Sequence, residues 1–101
     1  MQAHKLTIRF KAYLEGGEST FEVSGRIAQT LLALVQTGDA GVTSLEISTW
    51  ALRLSAYIHT LRHDYGLDIY TRYEPHDGGK HARYFLLTAV EIIETGFITF
   101  Q

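Results

Sequence analysis

The segment YEPHDGGKHARY, residues 73–84, sets two histidines, an aspartate and a lysine around a pair of glycines. Residues of these types could bind a metal ion through His76, Asp77 and His81, or hold a phosphate on the glycine turn. The H-x-x-x-x-H spacing matches none of the usual zinc-ligand spacings, and the chain has no cysteine to complete a site. The segment also lacks the long glycine-rich spacing and the lysine–hydroxyl pair of a nucleotide-binding loop. Neither kind of site is favoured here.

A second pair of histidines, His59 and His63, is four residues apart in a helical segment and would share one helix face. The residue after His59 is Thr60, where the zinc metalloprotease motif H-E-x-x-H has its glutamate. Serine is present, but no spacing joins a nucleophile to a base and an orienting group. We therefore expect no enzyme activity, no bound metal and no cofactor.

Composition indicates one globular domain, residues 1–101, because 46% of the chain is apolar and 20% is charged. No apolar run approaches the roughly 20 residues of a membrane span. The start, MQAHKLTIRF, has no secretory core, and cysteine is absent, so we expect a cytoplasmic protein. The net charge of −2 argues against extensive coating of nucleic acid but allows local binding. Residues 50–84 are mildly basic and hold four of the five histidines.

The first elements follow from hydrophobic periodicity. Strict alternation in KLTIRFKAYL, residues 5–14, predicts a strand with one buried face, and the glycines that follow predict a turn into a second strand. These strands form an N-terminal hairpin, residues 4–23. Ser24 can cap a helix that ends at Gly38. The apolar face of this helix consists of Ile27, Leu31, Leu34 and Val35.

Two further helices are predicted next. The capping box TSLE starts a second helix near Ser44, and TWALRLSAYIHTLRHDY, residues 49–65, forms a long third helix that ends at Gly66. A single continuous helix over residues 44–65 is the alternative. The inward stripe of the long helix comprises Ala51, Leu54, Ile58, Leu61 and Tyr65. Trp50, the one tryptophan, is better suited to the core than to a stacking contact.

Strand-like residues return in the last third of the chain. Runs at 68–74 and 81–87 flank residues 75–80, which we interpret as a hairpin loop. The apolar tail, residues 89–101, either adds a strand to the sheet or serves a partner. The order is a β-hairpin, three helices and a second β-hairpin, which is the plan of an α+β winged helix-turn-helix domain.

The stretch GVTSLEISTWALRLSAYIHTLRHDYGLDIYTRYEPHDGGKHARYFL resembles the small winged helix domains of bacterial and prophage genomes. The resemblance rests on the short capped helix, the spacing of Arg53, Tyr57 and Arg62, and the glycine-rich wing ending at Tyr84. It covers residues 20–88 and implies a DNA-binding fold. The hairpin at 4–23 and the tail at 89–101 are less well covered.

The interpretation of residues 73–84 as a wing suggests a double-stranded DNA interface. The long helix would read the major groove and the wing would follow the phosphate backbone, in a transcriptional regulator or a DNA-architectural factor. The candidate DNA-binding residues are Thr49, Leu52, Arg53, Ala56, Thr60, Arg72, Lys80, His81 and Arg83.

Two other interpretations stay open. The same fold can dock proteins, such as a host partner of a phage protein, and the negative net charge and apolar tail favour that use. Alternatively, the tail or the first strand could form a homodimer that reads two half-sites.

Overall fold

The structure, a computed structural model, describes residues 3–44 and 53–100, with side chains over residues 5–44 and 53–98. Its strands are β1 (Ala3–Leu14), β2 (Gly17–Ser24), β3 (Val42–Thr43), β4 (Ile69–His76), β5 (Gly79–Leu86) and β6 (Ala89–Phe100). Its helices are α1 (Gly25–Thr37), a 3-10 turn (Gly38–Ala40) and α2 (Leu54–Tyr65). The mixed α+β architecture is confirmed. The described residues contain two α-helices, so the predicted count of three is not matched.

The first sheet is built around β1. Its order is β2-β1-β6, and both neighbours run antiparallel to β1. The alternation predicted for β1 is confirmed, because Ile8, Phe10 and Ala12 are fully buried whereas Lys5 and Arg9 are exposed. The C-terminal tail therefore adds a strand to the sheet. β1 is the central strand, because it pairs with β2 from Thr7 to Leu14 and with β6 from Ala3 to Tyr13.

The helix α1 follows directly from β2. Leu31 and Leu34 are buried, and Ile27 and Val35 pack partly buried against the same core, as the apolar periodicity predicts. Ser24 occupies the N-cap position with extended backbone angles, but its side chain makes no capping hydrogen bond. Gly38 ends the helix, and its amide donates to the carbonyl of Leu34.

The helix α2 begins at Leu54, and Arg53 occupies its N-cap position. The predicted inward stripe is confirmed where it is described, since Leu54, Ile58 and Leu61 are buried. Gly66 ends the helix in the left-handed conformation, with its amide donating to the carbonyl of Leu61. The predicted capped helix near Ser44 and the first residues of the long helix, Trp50 and Ala51 included, lie outside the described residues.

The second sheet carries the wing. Its order is β3-β5-β4, with β4 and β5 paired from Ile69↔Leu86 to His76↔Gly79. The predicted loop at 75–80 is wrong, because the strands continue to a two-residue turn, Asp77–Gly78. Gly78, at φ 87°, supplies the positive φ that a tight hairpin needs. Pro75 is tolerated because β4 is an edge strand, where the missing amide breaks no ladder.

One buried cluster joins the two sheets and both helices. It includes Phe10 of β1, Leu31 of α1, Leu61 of α2 and Tyr84 of β5. The guanidinium of Arg62 ties the end of α2 to the base of the wing by donating to the carbonyl of Ile69 and to Thr71 Oγ1. Among the described helices, none is long and apolar enough to cross a membrane.

Candidate nucleic-acid interface

The outward face of α2 is the first part of the candidate site. Arg53, Ser55, His59 and His63 are exposed along it, while the predicted contacts Ala56 and Thr60 are half-buried. The hydroxyl of Thr60 donates to the carbonyl of Ala56 at 3.2 Å, so it is already used within the helix. Of the other predicted contacts in this region, Thr49 and Leu52 lie outside the described residues.

The two histidines of α2 lie close together on one face of the helix. The ring centroids of His59 and His63 are 4.0 Å apart, as the i, i+4 spacing on one helix face requires. Within residues 3–44 and 53–100, no three His, Cys, Asp or Glu side chains are close enough to bind a metal ion. The two imidazoles add polar groups to the exposed surface of α2.

The wing presents its functional side chains on two different faces. Successive residues of a strand alternate between faces, and opposite residues of paired strands share one. Arg72 lies opposite Arg83, and Glu74 lies opposite His81, so these four side chains occupy one face of the hairpin. Lys80 alternates onto the other face, where it lies opposite Pro75 and is exposed. The four predicted wing contacts therefore do not form one continuous patch.

Glu74 lies at the centre of the first face. Its Oε2 accepts from Arg72 Nη2 at 2.7 Å and from Arg83 Nε at 2.9 Å, and its Oε1 is 3.1 Å from His81 Nε2. The hydrogen bonds from Arg83 and then Arg72, with a smaller one from His81, lower the pKa of Glu74 to about 2, despite the opposing effect of its partial burial. Glu74 is thus ionised near neutral pH and offsets one of the two arginine charges.

The two arginines differ in what else they contact. The guanidinium of Arg83 also donates from Nη1 to the carbonyl of Ala40 at 3.0 Å, and its side chain is only 19% exposed. The side chain of Arg72 is 53% exposed, and its guanidinium carbon lies 4.9 Å from the ring centroid of Phe85. Arg72 can therefore reach a ligand from its present position, whereas Arg83 joins the wing to the loop after α1.

The two wing histidines extend this network toward the tip. The Nδ1 atoms of His76 and His81 are 3.0 Å apart, and their rings stack at 5.2 Å. With Glu74 ionised, its hydrogen bond requires a proton on His81 Nε2. With that proton on Nε2, His81 can accept at Nδ1 from His76. The segment that raised the possibility of a metal clasp is therefore a hydrogen-bonded chain from His76 to Glu74.

Sequence reasoning missed the role of Glu74. Glu74 is two residues after Arg72, and side chains at positions i and i+2 of a strand lie on the same face. This spacing could have predicted the contact between the two side chains. The contacts to His81 and Arg83 additionally depend on the hairpin register, which the two-residue turn sets.

An aromatic surface flanks the base of the wing. The rings of Tyr70 and Phe85 lie 6.0 Å apart, and Tyr70 is 52% exposed. With Arg72 and the exposed Leu87 they line a shallow cavity of about 230 Å³. Exposed tyrosine and arginine are residue types that are enriched at protein-binding surfaces.

Comparison with known families agrees with this geometry. The sequence model of the winged helix domain family matches residues 20–96, which is most of the chain, and the protein belongs to that family. The match extends past β5 into β6. Winged helix domains are typically DNA-binding modules without enzymatic activity. Comparison with curated proteins and with solved structures gives no significant match.

Proposed function

We propose that this protein binds double-stranded DNA as a single winged helix domain, residues 1–101, and acts as a transcriptional regulator or a DNA-architectural factor. We further propose a bacterial or phage origin and a cytoplasmic location. The observation that carries the proposal is the membership in the winged helix family, together with the exposed basic N-terminal end of α2.

The helical part of the interface would comprise residues 49–65. Residues near the N-terminal end of a recognition helix contact base edges in the major groove. Arg53 is exposed at that end, and an arginine can donate two hydrogen bonds to a guanine. Ser55 and His59 lie exposed further along α2 and can donate to phosphates or bases.

The wing part of the interface, residues 73–84, would contact the DNA backbone. Lys80 and Arg72 are the exposed cations of the hairpin and would reach phosphates, one from each face. His81 and Arg83 would act mainly by holding Glu74 and the shape of the wing. Thr49, Leu52, Ala56 and Thr60 remain proposed groove contacts.

A fluorescence-anisotropy titration against a duplex of random sequence tests the proposal. At about 50 mM salt, where phosphate contacts are strongest, we expect measurable binding that weakens steeply as salt is added. An unchanged anisotropy over the full protein range at that salt concentration would contradict DNA binding.

The second candidate function is protein docking through the same fold. Two observations favour it: Glu74 offsets arginine charge on the wing, and Tyr70, Arg72 and Leu87 surround an exposed cavity. Two results together would support this function over the first. The protein would show no binding to duplex DNA, and it would purify in a stoichiometric complex with a protein partner that the Tyr70→Ala variant loses.

A further inference from the structure

One face of the β4–β5 hairpin, the inner face, is turned toward α2. Thr71 lies opposite Tyr84, so these two side chains share this face. Tyr84 is buried in the core, and Thr71 Oγ1 accepts a hydrogen bond from Arg62 of α2. Side chains alternate along a strand, so Tyr73 lies on the inner face two residues beyond Thr71. Lys80 lies on the same face, four residues before Tyr84. The inner face therefore continues from the core to the tip of the wing.

Arg62 is fixed at the base of the inner face with its charge uncompensated. Its Nε and Nη2 atoms donate to the carbonyl of Ile69 and to Thr71 Oγ1, and both acceptors are neutral. Within residues 5–44 and 53–98, no group accepts a hydrogen bond from its Nη1 atom. No buried side-chain nitrogen of these residues lacks a partner, so Nη1 is in contact with solvent. Arg62 thus offers a fixed guanidinium group with an available donor.

The charges on the two faces of the wing differ. On the outer face, Glu74 accepts from both Arg72 and Arg83 and offsets part of their charge. Glu74 is the single acidic residue of β4 and β5, so neither strand contributes a carboxylate to the inner face. Lys80 is exposed and forms no ion pair with another described residue. The inner face therefore presents the charges of Lys80 and Arg62 without a counter-ion on the hairpin.

Tyr73 lies along the inner face between these two cations and is 70% exposed. The surroundings of Tyr84 reflect the same arrangement. Burial raises the pKa of the Tyr84 hydroxyl, the nearby Tyr73 raises it further, and the nearby Arg62 lowers it. An exposed tyrosine hydroxyl can donate to a phosphate oxygen of a nucleic acid. Arg62, Tyr73 and Lys80 are therefore three donors in a row on one side of the wing.

We propose that Arg62, Tyr73 and Lys80 form a phosphate-binding row that contacts the backbone of the DNA duplex. This inference rests on the proposed DNA binding, and it adds two contacts, Arg62 and Tyr73, to those proposed above. Positions i and i+2 of a strand are about 7 Å apart, so the row extends over about 14 Å. Phosphates of one DNA strand follow one another at about 3.4 Å along the helix axis. The row is thus long enough to contact more than one phosphate.

The exposed surface of α2 adjoins this row. His59 precedes Arg62 by three residues, so the two side chains are neighbours on the helix surface, and His59 is exposed. A duplex bound to the exposed surface of α2 would therefore also lie beside the inner face of the wing. The contacts of the row are to phosphates, so they would strengthen binding to any duplex sequence.

Two tyrosine variants on the same strand test the face that binds. Tyr70 lies on the outer face of β4, three residues before Tyr73, and is 52% exposed. In anisotropy titrations with two duplexes of unrelated sequence, Tyr73→Ala should weaken binding about three- to tenfold in both, as expected for one lost hydrogen bond. The matched control Tyr70→Ala should leave the affinity within about twofold of wild type. Equal effects of the two variants would overturn the assignment of the inner face.

The salt dependence of binding tests the two cations. Lys80→Gln should lower the slope of log K against log salt by about one unit, whereas Lys5→Gln, an equal charge change on β1, should not. Arg62→Gln should lower the slope by a similar amount. Because Arg62 also ties α2 to the wing, circular dichroism verifies the fold of each variant, and Tyr73→Ala and Lys80→Gln carry the test if Arg62→Gln unfolds.

The outcomes separate this row from the proposed function. Duplex binding by the wild type that neither Tyr73→Ala nor Lys80→Gln weakens would overturn the row and leave the proposed DNA binding standing. No duplex binding by the wild type would overturn both.

Discussion

Arg83 and Glu74 lie on adjacent strands of the wing, with Arg83 Nε donating to Glu74 Oε2 at 2.9 Å. The same carboxylate oxygen accepts from Arg72, so one negative charge is shared by two guanidinium groups. The wing is consequently less positive than its count of lysine and arginine suggests. Glu74 is therefore an internal counter-ion of the wing.

Removing that counter-ion should strengthen DNA binding. In Glu74→Gln the wing keeps its hydrogen-bonding shape but gains one net positive charge, which becomes available to phosphates. We expect tighter duplex binding and a plot of log Kd against log salt that is steeper by about one unit. Glu22→Gln, an equal charge change on the exposed surface of β2, is the control for net charge. Equal effects of the two variants would show that Glu74 has no special role.

Low pH should destabilise the wild-type protein, because it protonates the carboxylate of Glu74. The pKa of Glu74 is lowered to about 2 from its ordinary 4.5, so its contribution to stability is present above about pH 4.5 and is lost as the pH falls toward 2. Urea unfolding followed between pH 5 and pH 2 should show a shallower pH dependence for Glu74→Gln than for the wild type. Identical pH profiles would contradict the assigned hydrogen bonds.

The junction between the loop after α1 and the wing depends on Gly41. Its φ is 72°, and an added Cβ would lie 2.8 Å from both the Tyr84 carbonyl oxygen and Phe85 Cε1. Gly41→Ala should therefore cost about 2 kcal/mol or more in the free energy of unfolding, from backbone strain and overpacking. Gly16→Ala is the control, since no atom lies within 4 Å of its Cβ position. Equal denaturant midpoints for the two variants would contradict the packing at Gly41.

The core of α2 offers a further test of the fold. Leu61 is fully buried, so Leu61→Ala should lower the free energy of unfolding by about 2–5 kcal/mol. Leu87 is 59% exposed, and Leu87→Ala should change the free energy of unfolding by less than about 1 kcal/mol. Chemical denaturation of both variants measures the difference. A small loss for Leu61→Ala would mean that this stripe of α2 does not face the core.

Local patterns were sufficient to predict several elements. An element that buries one face has apolar residues at the period of its secondary structure. Ile8 and Phe10 show this period in a strand, and Leu54 and Leu61 show it in a helix. The position of the wing followed from the two β-rich runs and the glycines between them.

Features that depend on register could not be predicted in the same way. The two-residue turn at Asp77–Gly78 decides which side chains face Glu74, and several turns fit the same glycine pair. The pairing of β6 with β1 joins residues 76 to 97 positions apart in the sequence, which no local pattern specifies. The apolar residues at 89–101 predicted either a strand of the sheet or a surface that binds a partner, and the sequence did not distinguish between the two.

The most direct test of DNA binding compares wild type, Arg53→Ala and Arg9→Ala in duplex titrations at about 50 mM salt. Arg9 lies on the outer face of β1 and loses the same charge, so it controls for net charge. We predict that the wild type and Arg9→Ala bind with similar affinity and that Arg53→Ala binds about tenfold more weakly, as expected for a lost contact of about 1–3 kcal/mol. Equal affinity of all three proteins, or no binding by any of them, would contradict a DNA interface on α2.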